Sequence, residues 1–160
     1  MLELVSSETM QRLEKILSEK YGVDTLLLME NAGRAVTKEV FKQLRKAQDP
    51  SVCILCGLGN NAGDGFVIAR HLVVTTVRTK VYLIGSAARL KHDAAANYRR
   101  LQELNAPVAV IEKLGPAVWD DIIQADIVVD AIFGVGVNRK IGDPYRSIVE
   151  AINANAKKII

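Results

Sequence analysis

The chain has 160 residues, 49% of them hydrophobic and 24% charged, with a net charge of +3. That is about one domain's worth of chain, with the balance of a globular protein that buries a sizeable core. Lys and Arg are interspersed with Asp and Glu, so no basic stripe marks a nucleic-acid partner, and no apolar run approaches the roughly 20 residues that span a bilayer.

The N-terminal stretch MLELVSSETMQRLEK lacks the apolar core of a signal peptide, which makes the cytoplasm the expected location. Residues 6–19 predict an amphipathic helix with Met10, Leu13, Ile16 and Leu17 on one face, ended by Gly22. Asp24 is a candidate N-cap for a second helix over residues 25–47, whose apolar positions are Leu28, Ala32, Val36, Val40 and Leu44. Within that helix, Asn31 and Gly33 are poor helix formers. They indicate either close helix packing or an Asn31 that faces a site or a subunit interface.

Asp49-Pro50 punctuates the chain before an apolar strand over residues 52–56. A loop rich in Gly, Asn and Asp follows over 57–65, then a helix from Phe66 to about Thr75. Further strands are expected at 80–84, 107–111 and 126–131, with helices at 91–104, 116–123 and 144–153, and a last strand starting at 157–160. Apolar strands alternating with helices predict a mostly parallel sheet covered on both faces, an α/β three-layer Rossmann-like sandwich. Cys53 and Cys56 spell C-x-x-C, but residues three apart in a strand point to opposite faces. No second pair completes a zinc site, so both read as small buried hydrophobes.

Two glycine-bearing stretches carry the chemistry. Gly57-Leu58-Gly59-Asn60-Asn61-Ala62 matches the dinucleotide fingerprint between a strand and a helix. The acidic residue that should close the next strand and hold a ribose is missing; Ser86 stands near that position. The second stretch places Asp130 at the end of a buried strand, ahead of Gly134-Val135-Gly136. Ligands of open α/β sheets sit beyond the carboxyl ends of strands, so both loops open on one edge. A buried Asp130 needs a cation, a ligand hydroxyl or its own loop's N–H groups. Asn138, Arg139 and Lys140 follow, either as phosphate contacts or as solvated charge. His71 and His92 stand apart from any metal-type spacing and read as structural or surface residues.

On these residues the sequence resembles the NAD(P)H-hydrate epimerases, or YjeF N-terminal domains. The resemblance rests on LMENAG ending at Gly33, GLGNNAGDGFVIARHL starting at Gly57, and DAIFGVGVNRKIGDPYRSIVEAIN starting at Asp130. It covers nearly all of the chain from about Asp24. It implies repair of hydrated nicotinamide cofactors, NADHX and NADPHX, by interconversion of the R and S forms at carbon 6. A dehydratase that accepts only the S form, often fused on the C-terminal side, then restores the cofactor. The family also binds potassium and is usually dimeric.

By motif position, Asn60, Asn61, Ala62, Gly63 and Asp64, with Gly134, Val135, Gly136, Val137, Asn138, Arg139 and Lys140, would hold the hydrated cofactor. Asn61 and Asp130 would hold potassium. Ala62 stands where the family usually has Gly, a steric cost if positive φ is required there. Val135 stands where Thr is common. The family continues past a strand like 157–160 into an Asp-x-Pro-Ser-Gly turn that supplies a carboxylate and a Ser. This sequence stops before it, so residues 1–160 are expected to be a single domain incomplete at its C-terminus and a poor epimerase or none. The resemblance leaves the catalytic group unassigned, with Asp64 and Lys140 the titratable residues nearest the two loops. A non-catalytic interaction domain of the same fold and a generic dinucleotide binder are the alternatives. Intact Asn60, Asn61, Asp64 and Asp130 favour the enzyme.

Overall fold

The computed structural model describes residues 5–135, 137 and 140–160. Four parallel strands, β1 (Ser51–Cys56), β2 (Arg78–Ile84), β3 (Val108–Ile111) and β4 (Ile127–Ala131), form one sheet in the order β3-β2-β1-β4. Among the described residues, six helices surround it: α1 (Ser7–Tyr21), α2 (Thr25–Leu44), α3 (Asn60–Leu72), α4 (His92–Glu103), α5 (Pro116–Gln124) and α6 (Tyr145–Asn155). Residues 157–160 reach β4 through a parallel bridge between Val128 and Ile159, and the Ile160 N–H donates to the Val128 carbonyl. None of the helices among the described residues is long and apolar enough to cross a membrane.

The expected three layers are present, and β1 shows why its sequence is apolar without alternation. Val52, Ile54 and Cys56 face one core, shared with Val40 of α2, Phe66 of α3 and Leu101 of α4. Cys53 and Leu55 face the other core, with Ile122 of α5 and Ile148 and Ile152 of α6. Each large side chain buried this way stabilises the fold by about 1.5–3 kcal/mol. The two cysteines lie on opposite faces, free and buried. Desolvation pushes the Cys53 thiol up to about 12, and Cys56 higher still, which disfavours the thiolate form at both.

Three elements differ from expectation. First, α3 begins at Asn60, not Phe66, so the Gly-Asn-Asp run is its first turns. A Cβ at Gly63 would lie 2.3 Å from Met29 Sδ, and one at Gly65 would lie 2.6 Å from Ala131 Cβ and 2.7 Å from Cys56 Sγ. Close packing of helix on sheet and helix on helix overrides the local helix penalty of glycine. Ala62 therefore sits inside a helix, fully buried, and carries no positive φ.

Second, the buried stripe of α2 is Met29, Gly33, Thr37, Val40 and Leu44, displaced in its first half from the expected one. Gly33 is where α2 meets α3: a Cβ there would clash with Val67 Cγ1 at 2.5 Å. Asn31 and Ala32 are exposed. Third, α1 buries none of its residues, and Met10, Leu13, Ile16 and Leu17 are all exposed.

The strand order locates the crevice. From β1 the chain steps outward through α3, β2, α4 and β3. It then returns through α5 to place β4 on the other side of β1. The direction of winding reverses between β1 and β4, and ligands of such sheets bind outside the carboxyl ends at that switch point.

Candidate functional site

The loops that leave β1 and β4 touch at the switch point. Gly57 donates its N–H to the Ala131 carbonyl at 3.1 Å, and a Cβ on Gly57 would lie 2.1 Å from the Ile132 carbonyl oxygen. Only glycine allows that approach. Asn61, in the first turn of α3, donates from Nδ2 to the Phe133 carbonyl at 2.9 Å. Phe133 packs against Tyr145 with ring centroids 5.0 Å apart and the planes tilted by 53°, and the Tyr145 hydroxyl donates to the Ile84 carbonyl at 3.2 Å. The ends of β1, β4 and β2 are thus tied together beneath one cleft of about 1360 Å³. That exceeds the roughly 300–1,000 Å³ of ordinary small-molecule pockets and suits an extended ligand such as a dinucleotide.

The first wall is the start of α3. Its N-cap, Gly59, has no side chain to bond the N–H groups of Asn60 and Asn61, so the positive end of the helix dipole is open to a ligand. Asn60, Asn61 and Asp64 line the cleft. Ala62 and Gly63 do not. Ala62 is in the core with its N–H bonded to the Gly59 carbonyl, and Gly63 packs under Met29. Burial, and then the nearby charge of Glu14 on α1, push the Asp64 carboxyl up to about 6. A carboxylic acid that changes charge near neutrality is suited to proton transfer.

The second wall is the segment after β4. Gly134, Val135, Val137 and Lys140 line the cleft and are exposed. Gly136, Asn138 and Arg139, also expected on this loop, lie outside the described residues. Asp130 accepts the Ile132 N–H on Oδ1 at 3.0 Å, so its own loop takes one carboxylate oxygen, and Oδ2 has no partner among the described residues. The Asn61 amide, donating through nitrogen to Phe133, likewise keeps Oδ1 available. One amide and one carboxylate oxygen are hard donors that suit an alkali or alkaline-earth ion rather than zinc or copper. Among the described residues there is no group of three or more His, Cys, Asp or Glu that could hold a transition metal. His71 is structural: its Nε2 lies 2.8 Å from Glu30 Oε1, and Arg70 pairs with the same carboxylate.

Several cleft residues were not foreseen. Arg89 and Lys91 follow β2, and the rule that ligands sit beyond strand ends could have flagged them. Tyr145 opens α6, and Gln11, Glu14 and Lys15 come from the polar face of α1. Nothing local in the sequence announces that Gln11, Glu14 and Lys15 of α1 line the cleft while Leu13, Ile16 and Leu17 stay exposed.

The model of the family described as YjeF-related protein N-terminus matches residues 25–160. The chain is 36% identical over 149 residues to the bifunctional NAD(P)H-hydrate repair enzyme Nnr of Thermofilum pendens, covering 92% of this chain and 28% of that protein. It is 39% identical over 144 residues to the NAD(P)H-hydrate epimerase of Rhodobacter capsulatus, covering 87% of this chain and 65% of that one. The crystal structure of yeast ynu0, YNL200c, superposes with a TM-score of 0.81 at 26% identity, covering 94% of this chain and 65% of that one. The chain therefore spans less than a third of the bifunctional relative and just under two thirds of the epimerase. Fold, cleft and sequence agree, and the chain belongs to the YjeF-related protein N-terminus family.

Proposed function

We propose that the protein is an isomerase that binds hydrated nicotinamide dinucleotides, NADHX or NADPHX, in this cleft and interconverts their R and S forms at carbon 6. The observation that carries the reading is the large cleft at the β1/β4 switch point, with the uncapped start of α3 on one side and Asp64 beside it. The names of its relatives support the same chemistry. Carbon 6 of the hydrated ring bears a hydroxyl next to the ring nitrogen. Asp64 protonates that hydroxyl, the C–O bond breaks, and water leaves as the nitrogen lone pair stabilises a planar cation. Water then adds to the opposite face and returns its proton to Asp64, so atoms and charge balance over the cycle. Fixed backbone dipoles and Asn60 hold the ligand while the charge develops.

Potassium is the companion ion of this reading, with Asn61 Oδ1 and the free oxygen of Asp130 as its side-chain ligands. Its charge would offset the pyrophosphate and hold the two loops together. We also infer a homodimer. The exposed apolar face of α1 and the exposed Asn31 and Ala32 of α2 support it, since closed twofold dimers are the commonest assembly. A monomer mass by light scattering at micromolar concentration would argue against it. The S product passes to a dehydratase, on the same polypeptide in bifunctional relatives.

Titration with NADPHX tests the binding assignment. Asn60→Ala should lose about 0.5–1.5 kcal/mol of binding and Asp64→Ala about 1.5–3 kcal/mol. Unchanged affinity in both variants would rule the cleft out as the ligand site.

A further inference from the structure

We propose that Arg89 and Lys91 form a seat for the 2′-phosphate of the adenosine ribose, so that the phosphorylated hydrated cofactor is the preferred substrate of this chain. The inference rests on the proposed dinucleotide reading and specifies it.

The route from sequence to seat is short. β2 ends at Ile84, and Gly85 turns the chain with φ +102°. Ser86 then accepts the Ala88 N–H on its hydroxyl and starts a single 3₁₀ turn, Ala87–Arg89. Ala87 and Leu90 are partly buried against the core below, which anchors the segment. Arg89 and Lys91 flank Leu90, are exposed, and both line the cleft. Neither forms an ion pair with a carboxylate among the described residues. Lys15, another cation of the cleft wall, already pairs with Glu19 at 3.8 Å.

Placement along the sheet assigns these cations to one part of the ligand. If the pyrophosphate lies at the start of α3 and the hydrated ring against the β4 loop, the adenosine half extends over the carboxyl end of β2. A dinucleotide site that reads an unphosphorylated ribose places a carboxylate there to accept from the 2′-hydroxyl. The stretch Gly85-Ser86-Ala87-Ala88-Arg89-Leu90-Lys91 contains no carboxylate and two cations. A neutral ribose has no use for two unpaired cations. A phosphate dianion matches them, with charge-assisted bonds from the guanidinium fork and the ammonium.

The test has two arms on the same protein. Calorimetry compares 2′,5′-ADP with 5′-AMP, and kinetics compare kcat/KM for NADPHX with that for NADHX. The wild type should favour the phosphorylated member of each pair by about tenfold or more, as expected for charge-assisted bonds. In Arg89→Ala/Lys91→Ala, both preference ratios should fall toward one, and Arg89→Lys should restore part of the preference. Equal binding of the two nucleotides by the wild type overturns the proposal. So does a double variant that weakens both members of each pair by the same factor, because the cations would then touch the shared pyrophosphate. If neither nucleotide binds and NADHX is not turned over, the dinucleotide reading itself fails, and this inference with it.

Discussion

The two walls of the cleft are built in opposite ways. The β1–α3 junction is buried and jammed: Gly57 against the Ile132 carbonyl, Gly63 under Met29, Gly65 between Ala131 and Cys56. Among the described residues, Gly134, Val135, Val137, Lys140 and Gly142 between β4 and α6 are exposed. Val135 is 60% exposed, Val137 is 45% exposed, and Gly142 has nothing within 4 Å of a would-be Cβ. Gly57, Gly63 and Gly65 of the first wall are there because two backbones or helices meet, whereas Gly142 of the second meets nothing. The lesson is that the same residue type serves as a packing device on one side of a site and as a loop on the other. Only the first use sets the position of the uncapped helix terminus that the ligand needs.

The largest expected break in this contrast is Gly57→Ala. Its Cβ would collide with backbone, which cannot yield as a side chain can, so the variant should lose about 3 kcal/mol or more of stability in chemical denaturation. Gly142→Ala, on the open wall, should change stability by no more than about 0.5 kcal/mol. Similar losses in both would show that the walls do not differ in rigidity.

A smaller effect separates function from stability at Asp64. Its carboxyl titrates at about 6 in the fold against 3.8 when unperturbed, so the native state holds a proton that the unfolded chain has released. Stability from this group is therefore present below about pH 4 and is lost as pH rises to about 6. Asp64→Asn should melt higher than wild type at pH 7, by roughly 2–4 °C per kcal/mol gained, and the difference should shrink by pH 4. A variant that melts lower at pH 7 would mean that the charged carboxylate is satisfied in the fold.

The smallest effect sharpens the join between the walls. Potassium, but not lithium, should raise the melting temperature of the wild type, and Asp130→Asn should remove most of that difference. If the variant and wild type respond alike in every salt, Asp130 serves only its Asx-type bond to Ile132.

Much of the fold was legible because its signals were strong and redundant. Four apolar strands, helices between them, and the opposite facing of Cys53 and Cys56 all follow from periodicity alone. The meeting of Asn60, Asn61 and Asp64 with Gly134, Val135 and Lys140 followed from the rule about strand ends. What was missed lay where tertiary contact overrides local preference. The first turns of α3 read as loop because Gly, Asn and Asp rarely open a helix interior, yet a Cβ at Gly63 or Gly65 would come within 3 Å of a neighbour, so glycine is required there. The α2 stripe was displaced because Gly33, an apparent helix breaker, is the contact point with Val67. The orientation of α1 had no local signal at all, since an apolar helical face is expected to be inside.

The most direct test of the central claim is the rate of R-to-S conversion of NADHX, corrected for spontaneous epimerisation, in the wild type and in Asp64→Asn across pH 5 to 8. Conversion above background in the wild type is expected, with an inflection near pH 6 where Asp64 changes charge. Asp64→Asn should fall by about 10²–10⁴-fold and lose the inflection. Equal rates and the same pH profile in the two proteins would contradict a site in which Asp64 carries the proton.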